Sequence, residues 1–409
     1  MPRQEGNEIM RILWYSCSPF CGSGYGMQTA SMMRLLKQAG HNVAIFAFYG
    51  IQGAQVDTAN GIPIYPNDAK GYGVELVQTY FDHFKADICI SLVDIWVLKN
   101  MPKIPWYPWV PCDHEPTIPG VEDVLKNSSI AAPIAMSKFG QREIERITGK
   151  KPVYIPHGID CELFVPDENM RKEVRKSVGF NDKFVIGTVA TNCNRKNWNA
   201  SMIAVSKLYK KHKDIVWYMH TKPFDSMGGD LVMARHLYGL DKVCCFPKQV
   251  ELYLGISQEA MARAYNSMDV FLLPSMGEGF GLPAIEAQAC EVPVILANNT
   301  AQAELFGGGW QLKKGNPVYD IQSSFYYDSN PDEIYDCLEQ AYSEWESGKL
   351  RKRGKAARIF AEQFDEIKVF KESWTPFLDN IEKGLGKSKV DINKQIEEAI
   401  DAAIGERAG

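Results

Sequence analysis

DVFLLPSMGEGFGLPAIEAQACEVPVI, residues 269–295, decides the fold. The apolar run DVFLLP (269–274) reads as a buried strand ending at Pro274. The loop SMGEGFG (275–281) follows, and a helix is expected to start near Leu282-Pro283, since proline is tolerated in a first helical turn. Glu278 lies in that loop and Glu286 about one turn into the helix, so both can face a ligand at the carboxyl edge of a sheet. The amides of Gly279, Phe280, Gly281 and Leu282 approach a helix N-terminus, whose free N–H groups and positive dipole end attract anions. A carboxylate beside them can instead accept from sugar hydroxyls. One glutamate alone would be an ordinary solvated side chain; the string as a whole is far more specific.

Outward from this stretch, the pattern of buried strand and helix repeats. FVIGTVA (184–190), IVWYMH (215–220), KVCCF (242–246) and VPVILA (292–297) read as further strands, with helical patterns between them such as 199–212 and 257–268. Upstream, MRILWYS (10–16), NVAIFAF (42–48), DICISLV (87–93), WYPWVP (106–111) and APIAM (132–136) make a first set, with a glycine-rich loop CGSGYG (21–26) before the helical stretch 27–40. Continuous apolar strands separated by helices indicate parallel sheets covered on both faces. The charged, turn-rich stretch 166–183 separates two successive α/β units. We place the N-terminal domain at 1–163, the second at 164–364, a C-terminal helix returning to the N-domain at 365–386 and a charged tail at 387–409. A kink or break is expected at Trp374-Thr375-Pro376.

Composition sets the outer bounds. The chain has 409 residues, 45% apolar and 23% charged, which excludes a disordered chain, a collagen and a coiled coil. A net charge of −5 does not suggest a protein built around nucleic acid. No long uncharged apolar run and no N-terminal apolar segment are present, so neither a membrane span nor a secretion signal is expected. The ten cysteines have neither zinc spacing nor a CxxC pair and read as reduced core thiols of a cytoplasmic protein.

The 269–295 segment resembles the E-x7-E signature of retaining, nucleotide-sugar-dependent glycosyltransferases of family four, which have the two-domain GT-B fold. SPFCGSGYGMQTASMMRLLKQAGHNVAIF (18–46), IPHGIDCELF (155–164) and GTVATNCNRKNWNASMIAVSKL (187–208) are similar to other family segments in the same order. The resemblance covers roughly 10–385 and implies two Rossmann-like domains facing across a cleft, α/β in class. It implies that Glu278 contacts the transferred sugar, Glu286 the ribose, and the Gly279–Leu282 amides the sugar and diphosphate. Lys196 matches the family's phosphate-binding lysine. The usual arginine site reads Ala190-Thr191-Asn192, and Arg195 is the available substitute. Departure of a phosphate builds negative charge that cations or helix ends must offset.

In the glycine loop, the resemblance points to Gly24 first and Gly22 second as places where the backbone approaches the donor. A nicotinamide enzyme would want a carboxylate at the end of the following strand; AFYG (47–50) has none. Asp113 and His114 stand just beyond the strand 106–111, where the family has a histidine–aspartate pair in reversed order, so their roles stay open. Asp94 is a weaker candidate, and His157 reads as structural. No Asp-x-Asp pair occurs, so no catalytic metal and no cofactor are expected beyond a donor such as UDP- or GDP-hexose. Glycan or lipid-carrier acceptors are favoured. The basic runs 207–213 and 349–355 keep a modified DNA base in view, and peripheral membrane contact has weak support from Arg34 and Lys37 on the helix 27–40. The competing readings are a GT-B nucleotide-sugar epimerase and a non-catalytic nucleotide-sugar-binding protein.

Overall fold

Apolar runs become strands at almost every expected place in the computed structural model, which describes residues 10–126, 129–248, 250 and 255–385. The charged tail assigned to 387–409 lies outside the described residues. The chain divides into two units, each made of discontinuous segments.

The first unit comprises the described parts of Met1–Pro111, Pro119–Gly158 and Glu366–Gly409. Its sheet uses β1 (Arg11–Cys17), β2 (Asn42–Tyr49), β3 (Val56–Asp57), β4 (Pro63–Tyr65), β5 (Ile88–Leu92), β6 (Trp106–Val110), β7 (Ile134–Ala135) and β8 (Val153–Tyr154). The order is β3-β4-β2-β1-β5-β6-β7-β8, parallel except for the β3–β4 pair. β5 is buried throughout, as a strand covered on both faces must be. The helix Gly24–Gln38 follows β1, capped by Ser23, whose hydroxyl accepts from the Gly26 amide at 3.1 Å. Gly22 and Gly24 are exposed in this loop and helix start.

Trp14, Trp109 and Trp374 meet in the core of this unit, with ring centroids 5.0 to 6.4 Å apart. Trp374 comes from the last helical stretch, which runs as Glu366–Val369, a wider turn Phe370–Trp374 and the helix Thr375–Gly384. The local irregularity expected at Trp374-Thr375-Pro376 is this wider turn, with Pro376 in the first turn of the next helix. Gly158 packs against the chain at Glu366: a Cβ there would lie 2.6 Å from the Glu366 Cα.

The second unit comprises Cys112–Ile118 and Ile159–Asp365. Its sheet contains β9 (Phe184–Val189), β10 (Ile215–His220), β13 (Cys244–Cys245), β14 (Val270–Leu273), β15 (Val294–Leu296) and β16 (Gly309–Gln311), in the order β13-β10-β9-β14-β15-β16 and parallel throughout. Two hairpins stand outside it: β11 (Phe224–Asp225) with β12 (Gly229–Asp230), and β17 (Asn316–Tyr319) with β18 (Phe325–Asp328). Gly187 lets β9 pass Met268, because a Cβ there would stand 2.0 Å from the Met268 sulfur. Asp269, buried at the entry to β14, is gripped by Arg171 and Arg175 and accepts from the Val185 amide at 2.8 Å.

Two boundaries differ from the sequence reading by more than one residue, and Asp365 closes the second unit rather than opening the C-terminal helix. The segment Cys112–Ile118, assigned above to the N-terminal domain, belongs to the second unit. Its pairing explains this: the Glu115 amide donates to Phe325 O at 3.2 Å, Lys314 meets Glu115 at 2.6 Å, and Ser324 Oγ donates to Pro116 O. The second unit also resumes at Ile159 rather than 164, since the Ile159 amide donates to Phe364 O at 2.9 Å. Neither pairing leaves a mark on local sequence periodicity.

Candidate active site

In the second sheet β9 and β14 are neighbours, and their connections leave in opposite directions, β9 to β10 on one side and β14 to β15 on the other. Loops diverging this way open a crevice at the strands' carboxyl ends, where α/β proteins bind ligands. Both candidate loops rise there. After β9 the chain makes a tight turn at Asn194–Lys196, then Asn197 takes a left-handed φ of 56° and the helix Trp198–Lys211 begins. Asn197 is held by its side chain, which donates to Asp328 at 3.0 Å and Pro274 O at 3.3 Å. After β14 the loop carrying Glu278 ends at Gly281, whose φ of 119° suits glycine, and the helix Leu282–Ala289 starts with proline in its first turn. The expected strand–loop–helix is therefore present.

Backbone bonds lock the two loops together. The Met276 amide donates to Arg195 O at 2.8 Å, and the Tyr327 amide to Met276 O at 2.9 Å. The Glu278 amide donates to Thr300 Oγ1 at 2.9 Å, which fixes the carboxylate's stem. Glu278 is buried, and it is paired: Lys196 Nζ meets one oxygen and Arg195 Nη1 the other, the latter at 3.1 Å. Burial alone would raise the Glu278 pKa, but Lys196 and Arg195 outweigh it and hold the carboxyl below its usual range. Burial pushes the Lys196 ammonium down, with Glu278 working against that, while Glu278 and Asp113 overcome burial and push the Arg195 guanidinium up.

Arg195 links this pair to the segment 112–118. Its Nε lies 3.5 Å from Asp113 Oδ2. Asp113 Oδ1 lies 2.7 Å from His114 Nδ1. Burial would raise the Asp113 pKa, but the His114 hydrogen bond and the charges of Arg195 and Lys196 prevail and keep it low. The two neighbours differ in access: the Asp113 side chain is 30% exposed and the His114 ring 2%. The structure thus brings Glu278, Lys196, Arg195, Asp113 and His114 into one connected cluster.

Glu286 sits apart from it. Its carboxylate is buried and accepts from the Tyr265 hydroxyl at 2.6 Å. Burial raises its pKa to about 7, with the Tyr265 bond pulling the other way. Tyr265, on the helix Gln258–Asn266, is a residue that sequence reasoning missed. Phe280 is buried too, its ring 5.7 Å from that of Phe364, so its side chain braces the loop.

The remaining candidates fall as follows. In the first unit Asp94 accepts from the Tyr25 hydroxyl at 3.2 Å. His157 is buried against Trp109, Nδ1 lies 3.0 Å from Gln28 Oε1, and burial pushes its pKa down to about 3. Lys207 and Lys211 of the basic run 207–213 pair with Asp332 and Glu339. Arg353 of the run 349–355 pairs with Glu344 at 2.7 Å and lies over Trp310. A cavity of about 320 Å³ opens beside the cluster, between Asn194, Asn197, Trp198, Asp230, Tyr238 and Met276. No lysine or arginine lines it. Among the described residues no group of three or more His, Cys, Asp or Glu is arranged to hold a metal, and no helix is long and apolar enough to cross a membrane.

Residues 170–311 match the family model described as glycosyl transferases group 1. The chain is 22% identical over 274 residues to an uncharacterized glycosyltransferase of Sulfolobus islandicus rod-shaped virus 1, covering 66% of this chain and 77% of that protein. It is 24% identical over 163 residues to a GDP-mannose-dependent alpha-(1-6)-phosphatidylinositol monomannoside mannosyltransferase of Mycolicibacterium smegmatis, covering 37% of this chain and 39% of that one. The chain thus spans about two fifths of this second relative. Among solved structures, a sucrose-phosphate synthase from Thermosynechococcus elongatus superposes with a TM-score of 0.73 at 15% identity, over 91% of this chain and 99% of that one. Anabaena HepE, solved in complex with UDP and glucose, gives 0.64 at 15% identity, over 90% and 100%.

Proposed function

The chain is a glycosyltransferase with a group 1 domain and a GT-B fold, and from that premise we propose that it moves a hexose from a nucleotide-sugar donor to an acceptor hydroxyl with retention of anomeric configuration. The observation that carries this reading is the Arg195–Glu278–Lys196 cluster, two cations and a carboxylate at the carboxyl ends of β9 and β14. Arg195 and Lys196 supply charge for a diphosphate, and the N-terminus of the helix Leu282–Ala289 adds its dipole. Glu278 supplies an acceptor for sugar hydroxyls. Glu286, held by Tyr265, supplies one for the ribose.

In this mechanism the bond between the anomeric carbon and the diphosphate oxygen breaks. The electron pair leaves with the phosphate, where Arg195 and Lys196 offset the developing charge. The acceptor oxygen attacks from the same face, and its proton passes to the departing phosphate oxygen. The cations stand in for a divalent ion, in keeping with a sequence that has no Asp-x-Asp pair.

The donor is a UDP- or GDP-hexose in this proposal, and the acceptor a glycan or a lipid carrier. The mannosyltransferase relative, whose name specifies GDP-mannose and a phosphatidylinositol mannoside, favours a lipid-linked acceptor. A screen of nucleotide sugars by nucleotide release, followed by mass spectrometry of acceptor pools, tests the proposal. Release from no donor in the screen would refute it.

A further inference from the structure

Why is His114 buried while its neighbour Asp113 stays open? The answer lies in the β17–β18 hairpin. The Tyr326 ring lies flat on the His114 imidazole, centroids 3.8 Å apart at 30°. Asp113 takes Nδ1 on one side of the ring, and Asp320 Oδ2 lies 3.6 Å from Nε2 on the other. The hairpin also holds the backbone of the segment, through Phe325 O on the Glu115 amide and Ser324 on Pro116 O. Gly277, one residue before Glu278, completes the seat. A Cβ there would stand 2.0 Å from Asp113 O and 2.9 Å from the Tyr326 ring, so only glycine lets the three strands of chain close up.

We propose that the β17–β18 hairpin is a positioning element: Tyr326 fixes the His114 ring, and His114 in turn aims the Asp113 carboxylate at substrate. Asp113 is then the catalytic residue of the pair and His114 and Tyr326 are positioning residues. The chemistry of the contacts supports this division. An ionised carboxylate only accepts, so the Asp113 contact places a proton on His114 Nδ1. That bond occupies Asp113 Oδ1 and leaves Oδ2, on the Arg195 side, as the oxygen available to a sugar or acceptor hydroxyl. His114 itself has no comparable access, being covered by Tyr326.

This inference rests on the glycosyltransferase reading, and the experiment separates the two. Steady-state turnover of the donor found in the screen is measured on the full chain for Asp113→Asn, His114→Ala, Tyr326→Phe and Tyr326→Ala, together with melting temperature and UDP or GDP affinity. A stacked ring suffices to seat the imidazole, so Tyr326→Phe should stay within about twofold of wild type. Tyr326→Ala should lower kcat about tenfold to a hundredfold, as a misplaced catalytic group does, with nucleotide affinity unchanged. Asp113→Asn should lose more than His114→Ala. Tyr326→Phe proving as harmful as Tyr326→Ala would overturn the proposal, as would a larger loss in His114→Ala than in Asp113→Asn. If wild type turns over no donor, the functional reading fails on its own. Deuterium exchange at the His114 ring carbon, followed by mass spectrometry, then decides the positioning claim: exchange should be slow in wild type and Tyr326→Phe and faster in Tyr326→Ala. Equal exchange in all three would refute it. The same exchange measurement replaces turnover for any variant whose melting temperature collapses.

Discussion

Replacing Glu278 by glutamine should abolish most transfer and, at the same time, tighten the binding of a free nucleoside diphosphate. In the ligand-free protein the two candidate phosphate-binding cations already share an anion, the Glu278 carboxylate. An arriving diphosphate must compete with it. Arg195 keeps other contacts when the carboxylate goes, with Asp113 at 3.5 Å and Gly277 O, whereas Lys196 is left with its charge in a site where burial already disfavours it. The released interaction is therefore about one charge-assisted hydrogen bond, ~1.5–3 kcal/mol. That corresponds to roughly tenfold to a hundredfold tighter UDP or GDP binding. Calorimetry of the nucleotide alone, on wild type and Glu278→Gln, measures it. The intact donor should gain less than the free nucleotide, because the amide is a poorer acceptor for sugar hydroxyls than the carboxylate. A tenfold weakening of free nucleotide binding in Glu278→Gln would refute the reasoning, since the carboxylate would then be supporting the phosphate site rather than competing for it.

Lys196→Ala should weaken UDP or GDP binding tenfold to a hundredfold, the loss of one charge-assisted contact; unchanged calorimetric affinity would remove Lys196 from the phosphate site. Glu286 gives a pH signature. Its folded pKa, about 7, lies above the usual carboxylate value, so the folded state holds a proton that the unfolded state has released. The stabilisation from that proton is fully present below the unfolded pKa and is lost as pH rises through about 7. Wild type should therefore lose melting temperature relative to Glu286→Gln between about pH 4.5 and 7, the two ordinary and raised values. Nucleotide affinity should rise over the same interval as the carboxylate ionises, and a parallel pH dependence in Glu286→Gln would count against both effects. Chelation with EDTA should leave turnover intact; complete loss restored by magnesium or manganese would show that a divalent ion shares the role given to Arg195 and Lys196.

The second unit was the more legible half, and the reason is local. DVFLLP, the glycine loop and Leu282-Pro283 carry their own strand, turn and helix-start chemistry, and β14 and the helix Leu282–Ala289 appear where those residues put them. Strands of two residues, such as β3 and β8, are too short to show a period, and none was read. The β17–β18 hairpin was missed for a different reason. NPVYD and FYYD (316–320 and 325–328) carry aromatic and β-branched residues, but Val318, Tyr319 and Phe325 stay exposed, so no alternation of buried and exposed positions announces the pair. The site was legible residue by residue and illegible as a network. Nothing near Asp113 in sequence announces Arg195 or Tyr326, because such pairings are set by tertiary closure. Glu286 was expected to face ligand; that its carboxylate is buried on Tyr265 follows from a neighbouring helix that sequence periodicity could place but not orient.

The tryptophan cluster of the first unit has a consequence for how the chain is made. Trp14 and Trp109 are translated early, but Trp374, the third ring of the cluster, belongs to the last helical stretch. The whole of Ile159–Asp365 must be synthesised in between. At about 5–20 residues per second that is a wait of roughly 10–40 s, during which the early sheet lacks one of its core rings. The second unit reaches completion on the ribosome first, although its sheet starts later. A nascent first unit with Trp14 and Trp109 uncovered is a natural client for a chaperone, and a stop codon just before Trp374 would harm the N-terminal half of the molecule more than the half it truncates.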